Sequence, residues 1–310
     1  MTQSGNIGTI LTDSDIITQA YKKAGILSEG ESLTAEQAVD GRRILNAVTY
    51  ELINKGIKLW KRKFATLFLA GSQRIYALGN DARCTETYIK TTLDGDFLSA
   101  VSVIDVVDAT GMTAGDQLGI MVSNELSWFE ILSIDTNEIT LTTALGTDVS
   151  DGASVFTYTD IIAKPMEVDD VNVKNLQTSS EYIMLRYSRQ EYFALSNKTS
   201  EGIPYNYYTE KLLDEMRLFI YVTPQNSLHT IELSLTSPLF ITDSSADQVD
   251  FPLEFSQLII YSVSNEICLE NGVDDITSNR MMTEKNRLYN EATAFDNEEV
   301  SIFLSPDLED

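Results

Sequence analysis

Residues 34–56 open with Thr34-Ala35-Glu36-Gln37, continue through Ala38, Gly41, Leu45, Val48 and Leu52, and stop at Lys55-Gly56. The opening tetrad has capping-box form: the threonine side chain accepts a backbone N–H and the glutamine side chain reaches back to the threonine's own N–H. The apolar positions that follow recur at helical spacing, with Ile44 and Ile53 beside them. The segment therefore predicts an amphipathic helix ending near Asn54, with one stripe to bury. Lys55 places a cation at the negative end of the helix dipole, and Gly56 is the expected C-cap. A stripe on one helix needs partners, and where they lie decides the fold.

The partners lie at both ends of the chain. Upstream, Thr12 or Ser14 caps a short helix over residues 15–24, with Ile16, Ile17, Ala20 and Tyr21 on one face and Gly25 closing it. Downstream, apart from a short helical turn at residues 189–195, the helical period returns only at Pro252, which suits the first turn of a helix. Phe255, Ile259, Val263 and Ile267 then form a stripe that ends near Glu270, and a last helix over residues 275–295 carries Met281, Leu288, Ala292 and Phe295.

The middle of the chain reads as strands. Residues 64–69 and 74–78 are joined by Ala70-Gly71-Ser72-Gln73. From 84 to 160, β-prone runs at 100–107, 117–122, 128–134 and 138–143 alternate with Asp, Gly and Asn turns, the pattern of a small sandwich or barrel. Thirteen acidic residues stand there against Lys90 alone, so this module reads as inserted and solvent-facing. Beyond Pro165, residues 181–187 suggest a strand, and 217–222 with 229–235 suggest a hairpin around Thr223-Pro224-Gln225-Asn226-Ser227. His229 shares a strand face with Ile231, Leu233 and Leu235, which makes it a strand-start residue beside the core and not a base. The expected fold class is α+β: an α-helical bundle core with β-strand elements plus an inserted all-β module. The expected organisation is a discontinuous core of 1–83 and 161–310, the insert at 84–160, and a C-terminal tail at 300–310.

Composition narrows the function. Over 310 residues, 47 acids against 22 bases give a net charge of −25, the opposite of a free nucleic-acid binder, which gains affinity by neutralising phosphates. No run approaches the ~20 apolar residues of a membrane span, and the first residues lack the basic start and apolar run of a signal peptide, so assembly in the cytosol without a membrane is expected. Cys84 and Cys268 stand far apart and read as reduced thiols. One histidine leaves little for a zinc site or a Ser–His or Cys–His mechanism. Phosphate-binding glycine loops and hydrolase signatures are missing, and Asp94-Gly95-Asp96 lacks the spacing and terminal Glu of a calcium loop. The chain is expected to be no enzyme, with no catalytic, cofactor-binding or metal-binding residues.

Two features suggest contacts. Trp60, Lys61, Arg62 and Lys63, with Lys55 and Lys58, form the main basic cluster, read either as solvated helix-end charge or as a subunit or partner interface. Ile302-Phe303-Leu304 is an apolar island in a terminal stretch, 291–310, that holds seven acids and no base, and so reads as a docking peptide.

Four blocks in order carry a resemblance. Ser14-Asp15-Ile16-Ile17 leads through Ala24-Gly25-Ile26-Leu27 and Gly30-Glu31 to Thr34-Ala35-Glu36-Gln37; Ile44-Leu45-Asn46 is followed by Leu59-Trp60, Phe68-Leu69-Ala70-Gly71 and Tyr76-Ala77-Leu78-Gly79. Arg189-Gln190-Glu191-Tyr192 precedes Gly202-Ile203-Pro204, Tyr207-Tyr208 and Thr223-Pro224; Ser237-Pro238-Leu239 precedes Phe251-Pro252-Leu253-Glu254-Phe255. In this order the chain resembles the podovirus head-to-tail adaptors, from which the 84–160 module departs. The resemblance implies a homo-oligomeric ring, a dodecamer, with a helical bundle around a DNA channel. Its partners would be the portal protein, a downstream tail or nozzle protein, other copies of itself, and passing double-stranded DNA. It implies a virion location at the head–tail junction, after assembly in the host cytoplasm, and portal docking through Ile302, Phe303 and Leu304. The competing expectations are another neck stopper or tail-nozzle protein and a cell-wall-degrading tail hydrolase.

Overall fold

The computed structural model describes residues 11–57, 61–238 and 240–295, and the chain divides into two compact units, one of residues 1–61 with 239–310 and one of residues 62–238. The fold is α+β, with a helical bundle and an inserted, curled β-sheet module. Its helices are α1 (Asp13–Lys23), α2 (Ala35–Asn54), the short α3 (Arg189–Ala194), α4 (Ser256–Glu270) and α5 (Asp275–Phe295).

The helical unit starts from the two capping boxes. Thr12 N–H donates to Asp15 (3.1 Å) and Asp15 N–H to Thr12 Oγ1 (3.3 Å), while Thr34 and Gln37 exchange the same pair at 3.0 and 3.2 Å. Each box satisfies N–H groups that the first turn leaves unpaired. Helix α4 is the hub, packing against α1, α2 and α5. Its Leu258, Ile259, Ile260, Val263 and Ile267 are buried in one core with Ile16, Ile17, Leu45, Val48 and Leu52. Each such side chain contributes ~1.5–3 kcal/mol. A Cβ at Gly41 would collide with the Ile17 side chain, so glycine is what lets α1 and α2 come this close. Residues 240–251 strap across the bundle: Asn46 exchanges bonds with Thr242 (3.0 and 3.1 Å), and Asp13 N–H donates to the Asp247 carbonyl at 2.8 Å. The buried Asp13 carboxylate pairs with Arg42.

In the second unit the chain runs β1 (Arg62–Phe68), β2 (Ile75–Leu78) and β3 (Cys84–Thr85), then through the module as β4 (Ile89–Thr92), β5 (Val103–Asp105), β6 (Gln117–Val122), β7 (Glu125–Asp135), β8 (Glu138–Leu141) and β9 (Ser154–Tyr158). It returns as β10 (Glu167–Asn175), β11 (Glu181–Ile183) and β12 (Leu185–Arg186), and after α3 as β13 (Glu201–Gly202), β14 (Asn206–Lys211), β15 (Met216–Tyr221), β16 (Thr223–Pro224) and β17 (His229–Thr236). A five-stranded sheet in the order β11-β10-β17-β1-β3 and a four-stranded sheet in the order β12-β14-β15-β2 contribute to a shared core. In it Leu67, Val171, Ile231 and Leu233 from one sheet meet Tyr76, Leu78, Leu218 and Ile220 from the other.

The expected hairpin over residues 217–235 is absent. Strand β15 pairs with β14 and β2, whereas β17 pairs with β1 and β10. Both strands bury alternate residues in the same core from different sheets, so the Thr223–Ser227 stretch is a sheet-to-sheet corner held by β16 pairing with β13. A period of two fixes which face of a strand is buried, and leaves open which neighbour it pairs with.

The module's six strands lie in the order β4-β9-β6-β7-β8-β5. The sheet curls until its edge strands meet: Leu93 bridges Val106, Asp94 N–H donates to the Asp105 carbonyl (2.9 Å) and Val107 N–H to that of Thr92 (3.0 Å). Leu93, Ile104, Val106, Leu118, Ile120, Ile131, Ile139 and Val155 fill the inside. Closing the curl removes edges that would otherwise template pairing with other chains.

Candidate functional site

The barrel-like module stands on the outer face of the five-stranded sheet. Phe68, buried at the end of β1, is met by Tyr88 (centroid 5.4 Å), Trp128 (5.2 Å), Phe156 (5.5 Å) and Tyr158 (6.2 Å). The Trp128 ring lies on Gly119, whose missing side chain leaves room for it: a Cβ there would sit 2.9 Å from the ring. Arg83 stacks over Trp128 at 4.7 Å. Beside this plug, Ser227 Oγ donates to Glu125 Oε2 at 2.6 Å and Ser227 N–H to the Asn124 carbonyl at 2.9 Å. The insert is thus packed onto the sheets that flank it in sequence.

The described members of the basic cluster have partners within the chain, and Lys58 lies outside the described residues. Lys55 bonds Glu51 at 2.5 Å and lies 5.4 Å from the Tyr289 ring. That bond, opposed by desolvation and aided by Lys285, holds the Glu51 carboxyl below its usual range. Lys61 is 5% exposed, ion-paired to Asp250, and 5.6 Å from the Phe240 ring. Arg62 reaches Asp169 at 3.7 Å, and Lys63 holds both oxygens of Glu86 at 2.7 and 3.0 Å. Trp60 lies outside the described residues, and so do Ile302, Phe303 and Leu304.

The titratable groups weighed in the sequence have local roles. His229 is half-buried with Nε2 3.3 Å from Asn175 Nδ2, and desolvation lowers its pKa. Both cysteines are buried, and burial pushes their thiols up, away from the reactive thiolate. Asp96 accepts from Asp151 N–H at 2.8 Å and Asp151 from Gly95 N–H at 2.9 Å, so these acids tie a turn. Among the described residues no three His, Cys, Asp or Glu side chains are grouped to hold a metal, and no helix is long and apolar enough to cross a membrane.

Two surfaces stand out instead. Tyr182, Ile183 and Leu185 are 56%, 78% and 66% exposed along residues 181–186, which pass from the edge of one sheet to the edge of the other. On the module, Asp105, Glu138 and Asp135 sit directly opposite one another across β5, β8 and β7, with no base in the row. The apolar edge had no clear signal in the sequence, because its pattern matches that of a buried strand; the acidic row needed the register.

No family model matches the chain, and no curated protein matches it. Among solved structures it has a weak, distant likeness to structural proteins of phage particles. One is the Gp54 tailspike of Acinetobacter baumannii bacteriophage AP22, with 19% identity, a TM-score of 0.23, and 25% of this chain against 16% of that one. Another is VP17, a capsid protein of bacteriophage P23-77, with 12% identity, a TM-score of 0.14, and 56% of this chain against 80% of that one. The chain spans about one sixth of the tailspike's length.

Proposed function

We propose that this chain is a structural protein of a phage particle, acting as the head-to-tail adaptor. It would form a ring, a dodecamer, beneath the portal protein at the head–tail junction and give the next tail or nozzle protein its platform, after assembly in the host cytoplasm. One observation carries the reading: the two ends of the chain, α1 and α2 with α4 and α5, share a single core across an excursion of the whole β unit. A helical bundle is what the resemblance carried by the ordered sequence blocks implies. The net charge of −25 fits a wall that repels phosphates and lets DNA pass without sticking, with salt screening the repulsion beyond ~10 Å. A ring also needs apolar contact between copies, and the bare edge at Tyr182, Ile183 and Leu185 supplies it.

The test is electron microscopy of the full chain mixed with isolated portal rings. The adaptor reading expects a collar of copies on one face of the portal with no other tail protein present, lost in an Ile183→Asp, Leu185→Asp variant that still folds. Binding only to portals that already carry another tail protein would make the chain a neck stopper or nozzle subunit. Failure to bind in either setting would end the adaptor reading.

A further inference from the structure

In the helical unit the start of α4 and the last turns of α5 leave a cavity of about 240 Å³ between them. Phe255, Leu258, Leu288 and Ala292 line it, and Glu254 and Glu291 stand at it as the charged members. Ligand pockets begin at ~300 Å³, so this one suits a single side chain better than a metabolite. Its electrostatics are one-sided. Glu291 is held by Arg287 through one oxygen at 2.6 Å, and Glu254 is exposed with no ion-pair partner among the described residues. The last described turn of α5 carries no base.

We infer that this cavity is a docking site for a basic segment of a partner protein. One bulky apolar side chain enters between Phe255, Leu258, Leu288 and Ala292, and Lys or Arg side chains on either side of it meet Glu254 and Glu291. Charge complementarity selects this occupant: an acidic segment would bring like charges onto two carboxylates, and a neutral apolar one would leave Glu254 unmatched. The inference is independent of ring formation and of portal binding.

The probe is a short synthetic peptide with one tryptophan between pairs of arginines, labelled for fluorescence anisotropy, against the full chain. Because a chain of charge −25 attracts any basic peptide, two differences decide the matter. Replacing the peptide's tryptophan by serine is expected to weaken binding about tenfold or more, since the buried apolar side chain supplies the anchor. Glu254→Gln and Glu291→Gln are each expected to weaken it about threefold, the size of an exposed charge pair, with circular dichroism unchanged. Equal binding of the tryptophan and serine peptides, or binding indifferent to both substitutions, would overturn the inference. So would a gain of tenfold or more on removing residues 296–310, which would make the chain's own terminus the occupant. Loss of self-association in the two Gln variants, seen by light scattering, with no change in peptide binding, would assign the cavity to a second copy and overturn it equally.

Discussion

The helical bundle and the curled module reach a closed apolar core by opposite routes. The module does so within residues 89–158, around two consecutive hairpins, β6-β7 and β7-β8: β6 turns into β7 across Ser123-Asn124, both at positive φ (49° and 70°), the form that matches strand twist in a two-residue hairpin. The bundle unites residues 13–54 with residues 253–295, and its hub, α4, comes from the far end of the chain. Local pairing costs little chain entropy before it is rewarded, whereas closure over a long loop must be completed before α1 and α2 can meet α4. The module has what it needs to be autonomous, and the first two helices do not.

Separating the pieces tests this most severely. A fragment of residues 84–160 is expected to give a β-type circular dichroism spectrum and a cooperative melt. A fragment of residues 1–61 is expected to show little helix alone, because helices of 11 and 20 residues without a packed stripe are marginal in water. Adding residues 239–310 should restore it. A helical, melting 1–61 fragment would break the comparison.

A smaller effect sharpens it from the module's side. Phe64 and Phe68 lie on the same face of β1, yet Phe64 is 76% exposed while Phe68 is 2% exposed beneath the module's aromatic rings. Phe68→Ala is expected to cost ~3–5 kcal/mol and Phe64→Ala less than ~0.5 kcal/mol in urea unfolding. If the module is autonomous, the Phe68 variant should also split the melt, with Trp128 fluorescence changing at undocking while the module's own transition stays in place. A single transition shifted as a whole would mean that the module and the sheets form one cooperative block.

These elements differ in how far the residues announced them. The capping box and the stripe of α2 were legible, because backbone N–H satisfaction and burial at helical spacing are local rules, and Ala35–Asn54 ends where the Lys55-Gly56 signal places it; for α1 the cap was left between Thr12 and Ser14, and Thr12 takes it with Asp15 as its reciprocal partner. The strands β10 and β14 went unread. A bulge between Val168 and Asp170 breaks the alternation in β10, and Tyr207-Tyr208 puts two aromatics side by side in β14, so neither shows a clean period of two. The reading of residues 217–235 as a hairpin failed for a related reason: alternation carries no information about which sheet a strand joins. The basic cluster was visible as a cluster, but its counter-ions Asp250, Asp169 and Glu86 are 189, 107 and 23 positions away, which only the fold can pair. The cavity beside Glu254 and Glu291 was likewise hidden, since its walls come from two helices.

The smallest expected effect separates the two regions by charge. In the bundle several acids have basic partners: Glu51 takes Lys55 and Lys285, and Glu270 takes Arg43 at 3.1 Å. The Glu51 carboxyl is held below its usual range, so its contribution is fully present above the unfolded carboxylate range and is lost as pH falls through the lowered value. In the module, Glu138 faces Asp105 on one side and Asp135 on the other, and like charges directly opposite destabilise a sheet. Glu138→Lys turns two repulsions into two attractions and is expected to stabilise the 84–160 fragment by roughly 0.5–1 kcal/mol. Salt supplies the control, because screening weakens either sign of interaction. Raising it should stabilise the unsubstituted module, leave the Glu138→Lys module unchanged or slightly weaker, and weaken the exposed pairs of the bundle. A module indifferent to both salt and the substitution would mean that water already screens the row, and the charge difference between the regions would then carry no stability at all.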